Sequence, residues 1–149
     1  MPMNKWPQSY SELVSLPSHC QSKQRSIVSE EKGLKHIALN VDSNQVKQIK
    51  IDGDLWTKGT DTTRADYLVL NEDKKVAYII ELKSSDIEHA IKQLEITDNS
   101  LSLALSGFKK CWRLVYRTRT KKLKNRDENN FQRKYPKLVV KKNYLEEEI

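Results

Sequence analysis

The sequence predicts a mixed α/β layer fold, with helices packed on a central mixed β-sheet, in the order helix, three strands, helix, strand (αβββαβ). Three observations carry this. Two β-rich segments, Asp66–Leu70 and Val76–Lys83, flank the polar run Asn71-Glu72-Asp73-Lys74-Lys75 as the arms of a hairpin would. Ser85-Asp86-Ile87-Glu88 matches a capping box and opens an apolar stripe of helical period. The chain's 149 residues, 37% hydrophobic, are enough for one modest core and leave no room for a second domain.

The elements follow in order. Residues 1–22 carry Pro2, Pro7 and Pro17 among scattered polar residues, which predicts an irregular N-terminal segment with one short helical turn near Ser11–Leu16. The remainder, 23–149, reads as a single domain. From Lys23 to Asn40, Ile27, Val28, Leu34, Ile37 and Ala38 recur at helical spacing, broken only by Gly33, and predict the first helix. Val46–Ile51 alternates as a strand and ends at Asp52-Gly53-Asp54, and a loop containing Trp56 runs on to Thr63. The hairpin comes next. The capping box then starts a helix whose stripe is Ile87, Ala90, Ile91, Leu94, Leu101, Ala104 and Leu105, with Gly107 as its stop. Cys111–Tyr116 and Leu138–Lys142 read as strands, separated by a polar, basic excursion over 117–135.

Several classes are excluded or disfavoured early. No run approaches the roughly 18 apolar residues of a spanning helix, and Met1–Tyr10 lacks a basic-then-apolar signal pattern. A soluble, cytoplasmic protein is expected. Cys20 and Cys111 show no metal-ligand spacing and no disulfide framework, so both are expected as reduced thiols. Glycine-rich phosphate loops, GxSxG and HExxH are absent from the sequence.

The net charge of +7 is unevenly placed. Residues 109–142 hold 14 Lys+Arg against 2 Asp+Glu, whereas the first 108 hold 13 against 15. A basic segment on a slightly acidic body suits a protein that approaches polyphosphate, although a solvated lysine-rich face has the same composition.

One constellation carries chemistry. Alternate residues of a strand share a face, so Glu81 and Lys83 project together beyond the apolar Ala77 and Ile79. Pairing Asn71 with Val76 sets a register that places Asp66 opposite Glu81 on that same face. Two carboxylates and an ammonium at the end of a buried row suit a hard divalent cation such as Mg²⁺, with Mn²⁺ as a substitute. Such a cation lowers the pKa of a bound water and neutralises charge on a scissile phosphate, while the lysine orients or deprotonates the water. The plain alternative is a strand-end salt bridge between Glu81 and Lys83.

The runs Arg64-Ala65-Asp66-Tyr67-Leu68-Val69-Leu70 and Tyr78-Ile79-Ile80-Glu81-Leu82-Lys83, followed by a helix, resemble the PD-(D/E)XK nuclease superfamily, which includes restriction-endonuclease-like and Holliday-junction-resolvase-like enzymes. The resemblance spans about residues 23–116 and implies a restriction-endonuclease-like core and a metal-dependent nuclease, acting on DNA more than RNA. It implies Asp66 and Glu81 as metal ligands, with the Leu82 carbonyl beside them, and Lys83 as the catalytic lysine. Many members add a glutamate from the first helix; Glu30 and Glu31 are the candidates, and on a helical wheel Glu31 lies nearer the apolar stripe. Gln93 stands where some members carry a polar residue near the site. Ala65 occupies the position of the motif's proline, a departure that leaves activity open.

Lys58, Arg64, Lys109, Lys110, Arg113, Arg117, Arg119, Lys121 and Lys122 are candidates for contact with the nucleic-acid backbone, followed by Lys124, Arg126, Arg133 and Lys134. His19, His36 and His89 show no ligand spacing; His36 and His89 are expected on helix faces, and Trp56 and Trp112 in packing roles. One site per chain, by analogy with the superfamily, implies a homodimer for double-strand cutting. The rival readings are a non-catalytic nucleic-acid-binding module of the same fold and a basic protein that meets an acidic protein partner.

Overall fold

A computed structural model describes residues 2–83, 86–117 and 125–149; within 125–128 only the backbone is described. The architecture is a mixed α/β fold built on a five-stranded mixed sheet, with a helix on one face and a second sheet on the other. After a short helix α1 (Tyr10–Val14), the chain forms strands β1 (Ser26–Glu31), β2 (Leu34–Leu39), β3 (Val46–Lys50), β4 (Tyr67–Asn71) and β5 (Val76–Lys83). Helix α2 (Ile87–Ser100), strand β6 (Lys109–Tyr116), helix α3 (Asn125–Lys134) and strands β7 (Leu138–Lys142) and β8 (Tyr144–Glu148) complete it.

The larger sheet has the order β3-β4-β5-β6-β7. β3, β4 and β5 form an antiparallel meander, and β5, β6 and β7 run parallel. Parallel neighbours need crossover connections, and α2 and the segment containing α3 supply them. The basic excursion of the sequence is thus in part a helix; Arg119, Lys121, Lys122 and Lys124 lie outside the described residues.

Both faces of this sheet are buried, which is why β4 is apolar at four of its five positions and β5 at six of eight rather than alternating. On one face Leu68, Leu70, Ala77, Ile79 and Leu114 pack against Ala90, Ile91 and Leu94 of α2 and against Leu101, Ala104 and Leu105. Fully burying each such leucine or isoleucine contributes about 1.5–3 kcal/mol. α2 ends at Ser100, earlier than its stripe suggested, and the hydrogen-bonded turns over 101–107 carry the last three apolar residues to Gly107 at φ +86°. Its N-cap is Asp86, whose side chain accepts from the His89 N–H at 3.1 Å; the Ser85 cap expected from the capping box lies outside the described residues.

The first helix expected from the sequence is replaced by a β-hairpin, so the αβββαβ order does not hold. Glu31 pairs with Leu34, and Lys32 and Gly33, at φ +51° and +82°, form a two-residue loop with both φ angles positive, as a type I′ hairpin requires. Ile27, Leu34 and Ala38 do point to the core, but the alternation is filled out by the polar Ser29 and His36, both fully buried. With those two read as surface, the apolar residues mimic a helical stripe. β8 joins β2 in parallel, and the resulting sheet β1-β2-β8 covers the second face through Ile27, Leu34, Ala38, Leu145 and Ile149.

Candidate active site

The β4–β5 ladder has the register expected from the sequence, from Asn71 opposite Val76 to Tyr67 opposite Ile80. Asp66, one residue before β4, continues it: its N–H donates to the Ile80 carbonyl at 3.1 Å, and its Oδ2 accepts from the Leu82 N–H at 2.9 Å. These bonds bring Asp66 beside Glu81, and the two carboxyls share a hydrogen bond. Both sit on the α2 side of the sheet, as does Lys83 two residues further along β5.

Glu81 is 2% exposed, and its Oε1 has no hydrogen-bond partner. Burial raises its pKa well above the ordinary carboxyl value, and the neighbouring Asp66 charge adds to the shift, while Lys83 opposes it. Burial also pushes Asp66 up, to about 6, partly offset by the bonds it accepts from Leu82 and Glu81. A buried glutamate beside a half-buried aspartate, both pushed up, is a pair short of positive charge.

Asp66 opens onto a cleft of about 330 Å³ lined by Asp52, Thr60, Asp61, Thr62, Thr63, Arg64, His89 and Gln93. Arg64 builds its wall. The guanidinium donates twice to Asp52 Oδ1, at 3.2 and 2.7 Å, and once each to the carbonyls of Thr57, Thr60 and Thr62. That uses all five of its N–H groups, so Arg64 holds the loop in place and has none left for a phosphate. Opposite it, Gln93 of α2 donates to the Arg64 carbonyl at 2.9 Å and keeps a buried Oε1 without a partner.

Ala65 makes sense here. Its N–H donates to Thr97 Oγ1 at 2.8 Å, and that hydroxyl donates to the Gln93 carbonyl at 2.7 Å. A proline at this position would have no N–H to give, so the residue before Asp66 ties the hairpin to α2 by a bond that the motif's usual residue cannot make.

Glu31 reaches this end of the molecule from β1 and not from a helix. Its Oε1 lies 3.5 Å from Lys58 Nζ, which lies 3.5 Å from Asp52 Oδ2 as well. Glu30 points elsewhere, toward Lys35 at 3.8 Å. The wheel argument that favoured Glu31 had no helix to rest on, and Glu31 comes near the cleft because it flanks the hairpin turn.

Among the described residues, the other basic candidates do not form one groove. β5 and β6 are parallel with Glu81 opposite Leu114 and Val76 opposite Lys109, so Lys109 and Lys110 lie about 16 and about 13 Å of strand away from the carboxyl pair. Lys110 is paired with Asp98 at 2.7 Å. Arg113 faces the other sheet, held by Glu147 at 2.7 and 3.0 Å and stacked on Tyr78. Arg117 lies at the correct end, but its guanidinium donates to the Lys32 carbonyl over Gly33.

His36 is fully buried in β2, bonded through Nε2 to Glu147 at 2.8 Å, rather than on a helix face. His89 is exposed at the cleft wall on α2. Trp112 is buried and donates to Asp98 at 2.6 Å, and Trp56 packs edge-on against Trp6, both packing roles. Cys20 and Cys111 are free thiols. No helix among the described residues is long and apolar enough to cross a membrane.

Sequence reasoning passed over Gln48, Thr97 and Lys142. The first two are buried: Thr97 accepts from the Ala65 N–H beside the site, and Gln48 donates to the Val28 carbonyl and Ser29 Oγ, tying β3 to the covering sheet. Lys142 ends β7 beside Tyr116, which in turn lies beside Lys83. A count across the three parallel strands would have found it, once β7 was known to follow β6.

Among the described residues, no group of three or more His, Cys, Asp or Glu side chains is arranged to hold a metal ion. The donor set at the cleft is two carboxyls. No protein-family model, curated protein or solved structure matches the chain.

Proposed function

We propose that the chain is a metal-dependent nuclease that hydrolyses phosphodiester bonds in DNA, in the manner of the PD-(D/E)XK enzymes its hairpin motif resembles. The observation that carries this reading is the Asp66–Glu81 pair: a buried glutamate with an orphaned oxygen beside a half-buried aspartate, at the carboxyl end of a parallel strand, with Asp66 on the wall of an open cleft. Such a pair costs stability when both groups are ionised, and a bound cation would offset that cost.

The residues fit a hard divalent cation such as Mg²⁺. Asp66 and Glu81 would hold it, with the Leu82 carbonyl as a further oxygen, and such ions complete their shells with water and substrate phosphate. When bound, the ion supplies a Lewis acid at the phosphate and an acidified water. The protein's own part is separate. Lys83 makes no ion pair among the described residues and is free to orient the water or the phosphate. Arg64 and Gln93 fix the loop and helix that frame the cleft, and His89 stands exposed on its wall.

The test is cleavage of linear and supercoiled DNA with Mg²⁺, Mn²⁺ or EDTA. Cleavage is expected only with metal, and Glu81→Ala and Lys83→Ala should each lose roughly 10²-fold or more in rate. Wild-type rates in either variant, or cleavage in EDTA, would discard the assignment. Salt-sensitive binding with no cleavage under any metal would leave a non-catalytic nucleic-acid-binding module instead.

A further inference from the structure

We propose that Lys83 and Lys142, near the carboxyl ends of β5 and β7, mark the track along which the DNA backbone runs from the carboxyl pair, with Lys142 as its outer phosphate-binding residue. The choice of ligand rests on the nuclease reading. The geometry does not.

Lys83 is registered with Tyr116, and Tyr116 with Lys142. All three fall on the α2 side of the sheet: Leu138 and Val140 pack in the α2-side core while Val139 packs against the other, so the alternation brings Lys142 to the same side as Lys83. With neighbouring strands about 4.8 Å apart, Lys142 stands about 10 Å from Lys83 across the sheet. Tyr116 lies between them in the order of strands but is part of the core, 2% exposed.

Lys142 is held in place from behind. The next residue, Asn143, takes a positive φ of 68° and donates its N–H to the Tyr116 carbonyl at 2.8 Å, fixing the end of β7 against β6. Lys142 is exposed and has no ion pair among the described residues, and the same lack of an ion pair holds for Lys83. This sets the two apart from Lys58, Arg64, Lys110, Arg113 and Lys137, each paired within the protein. Two unpaired cations on a rigid sheet edge, in line with an acidic pair short of positive charge, fit a polyanion whose scissile phosphate sits at the pair and whose next phosphates lie toward β7.

The experiment is equilibrium binding of a labelled duplex DNA in EDTA over a salt series, so that hydrolysis plays no part. Lys142→Ala should reduce the slope of log affinity against log salt by about 1, so that between 50 and 200 mM salt it loses about 3.5-fold less affinity than wild type. Lys142→Arg should restore the slope. An unchanged slope in Lys142→Ala, or the same loss appearing in Lys109→Ala instead, overturns the track, and tighter binding of the matching RNA duplex overturns DNA as its occupant. If the slope changes as expected but Mg²⁺ gives no cleavage, the track stands and the hydrolytic reading falls. If Mg²⁺ gives cleavage while the slope is indifferent to Lys142, the reverse holds.

Discussion

Two carboxylate centres, one in the last turn of α2 and one on β5, are both almost wholly buried and built on opposite principles. Asp98 is 3% exposed and surrounded by donors: Lys110 at 2.7 Å, Trp112 Nε1 at 2.6 Å and Lys137 at 3.4 Å. Burial alone would push its carboxyl up, but the bonds from Lys110 and Trp112 outweigh that and hold it below the usual value. Glu81 is equally buried and faces another carboxyl, so everything but Lys83 pushes it up. A compensated carboxylate contributes to the fold. An uncompensated one costs stability, and the position next to an open cleft is where such a cost has a use.

The contrast can be broken or sharpened by substitution. The largest stability effect belongs to Asp98→Ala, expected to cost about 3–5 kcal/mol because it strands the Lys110 ammonium and the Trp112 N–H, read as a lower midpoint in urea unfolding. Glu81→Gln should do the opposite: in metal-free buffer at pH 7 it should gain about 0.5–2 kcal/mol while abolishing metal-dependent cleavage. A Glu81→Gln variant that unfolds as readily as Asp98→Ala would remove the distinction.

The pH dependence follows with opposite signs. The raised Asp66 and Glu81 values mean that these groups favour the fold below the ordinary carboxyl range, and that the benefit is lost as pH rises through about 6 at Asp66. Asp98 and Glu147, held low, favour the fold above that range and lose the benefit as pH falls through their depressed values. Between pH 5 and 7.5 in EDTA, stability should therefore fall for wild type and stay flatter for Glu81→Gln. The smallest effect is a rise in melting temperature on adding Mg²⁺ at pH 7.5, expected for wild type and absent from Asp66→Asn.

The side of the molecule that carries the candidate site was the legible one. The Asn71–Val76 register follows from the polar run between two β-rich segments, and from it alone Asp66 falls opposite Glu81. The covering sheet was not legible, because its pattern is written in polar residues. Ser29 and His36 occupy core positions, and the β8 alternation runs Leu145, Glu147, Ile149 with a half-buried glutamate at its centre, satisfied by His36 and Arg113. A polar residue that will be bonded inside looks in sequence like one left in water. The basic segment misled for a related reason: charge counts do not say which cations already have partners, and Lys110 and Arg113 do.

β8 lies beside β2, and His36 and Glu147 are 111 positions apart. In kinetic terms this pairing closes a long loop, and its closure entropy is incurred before β8 can add to the local β1-β2 hairpin. The Asp66–Glu81 hairpin, by contrast, closes across a few residues. Refolding is expected to form the local hairpin first and the long-range cover last, so that substitutions in β8 should change the unfolding rate more than the folding rate.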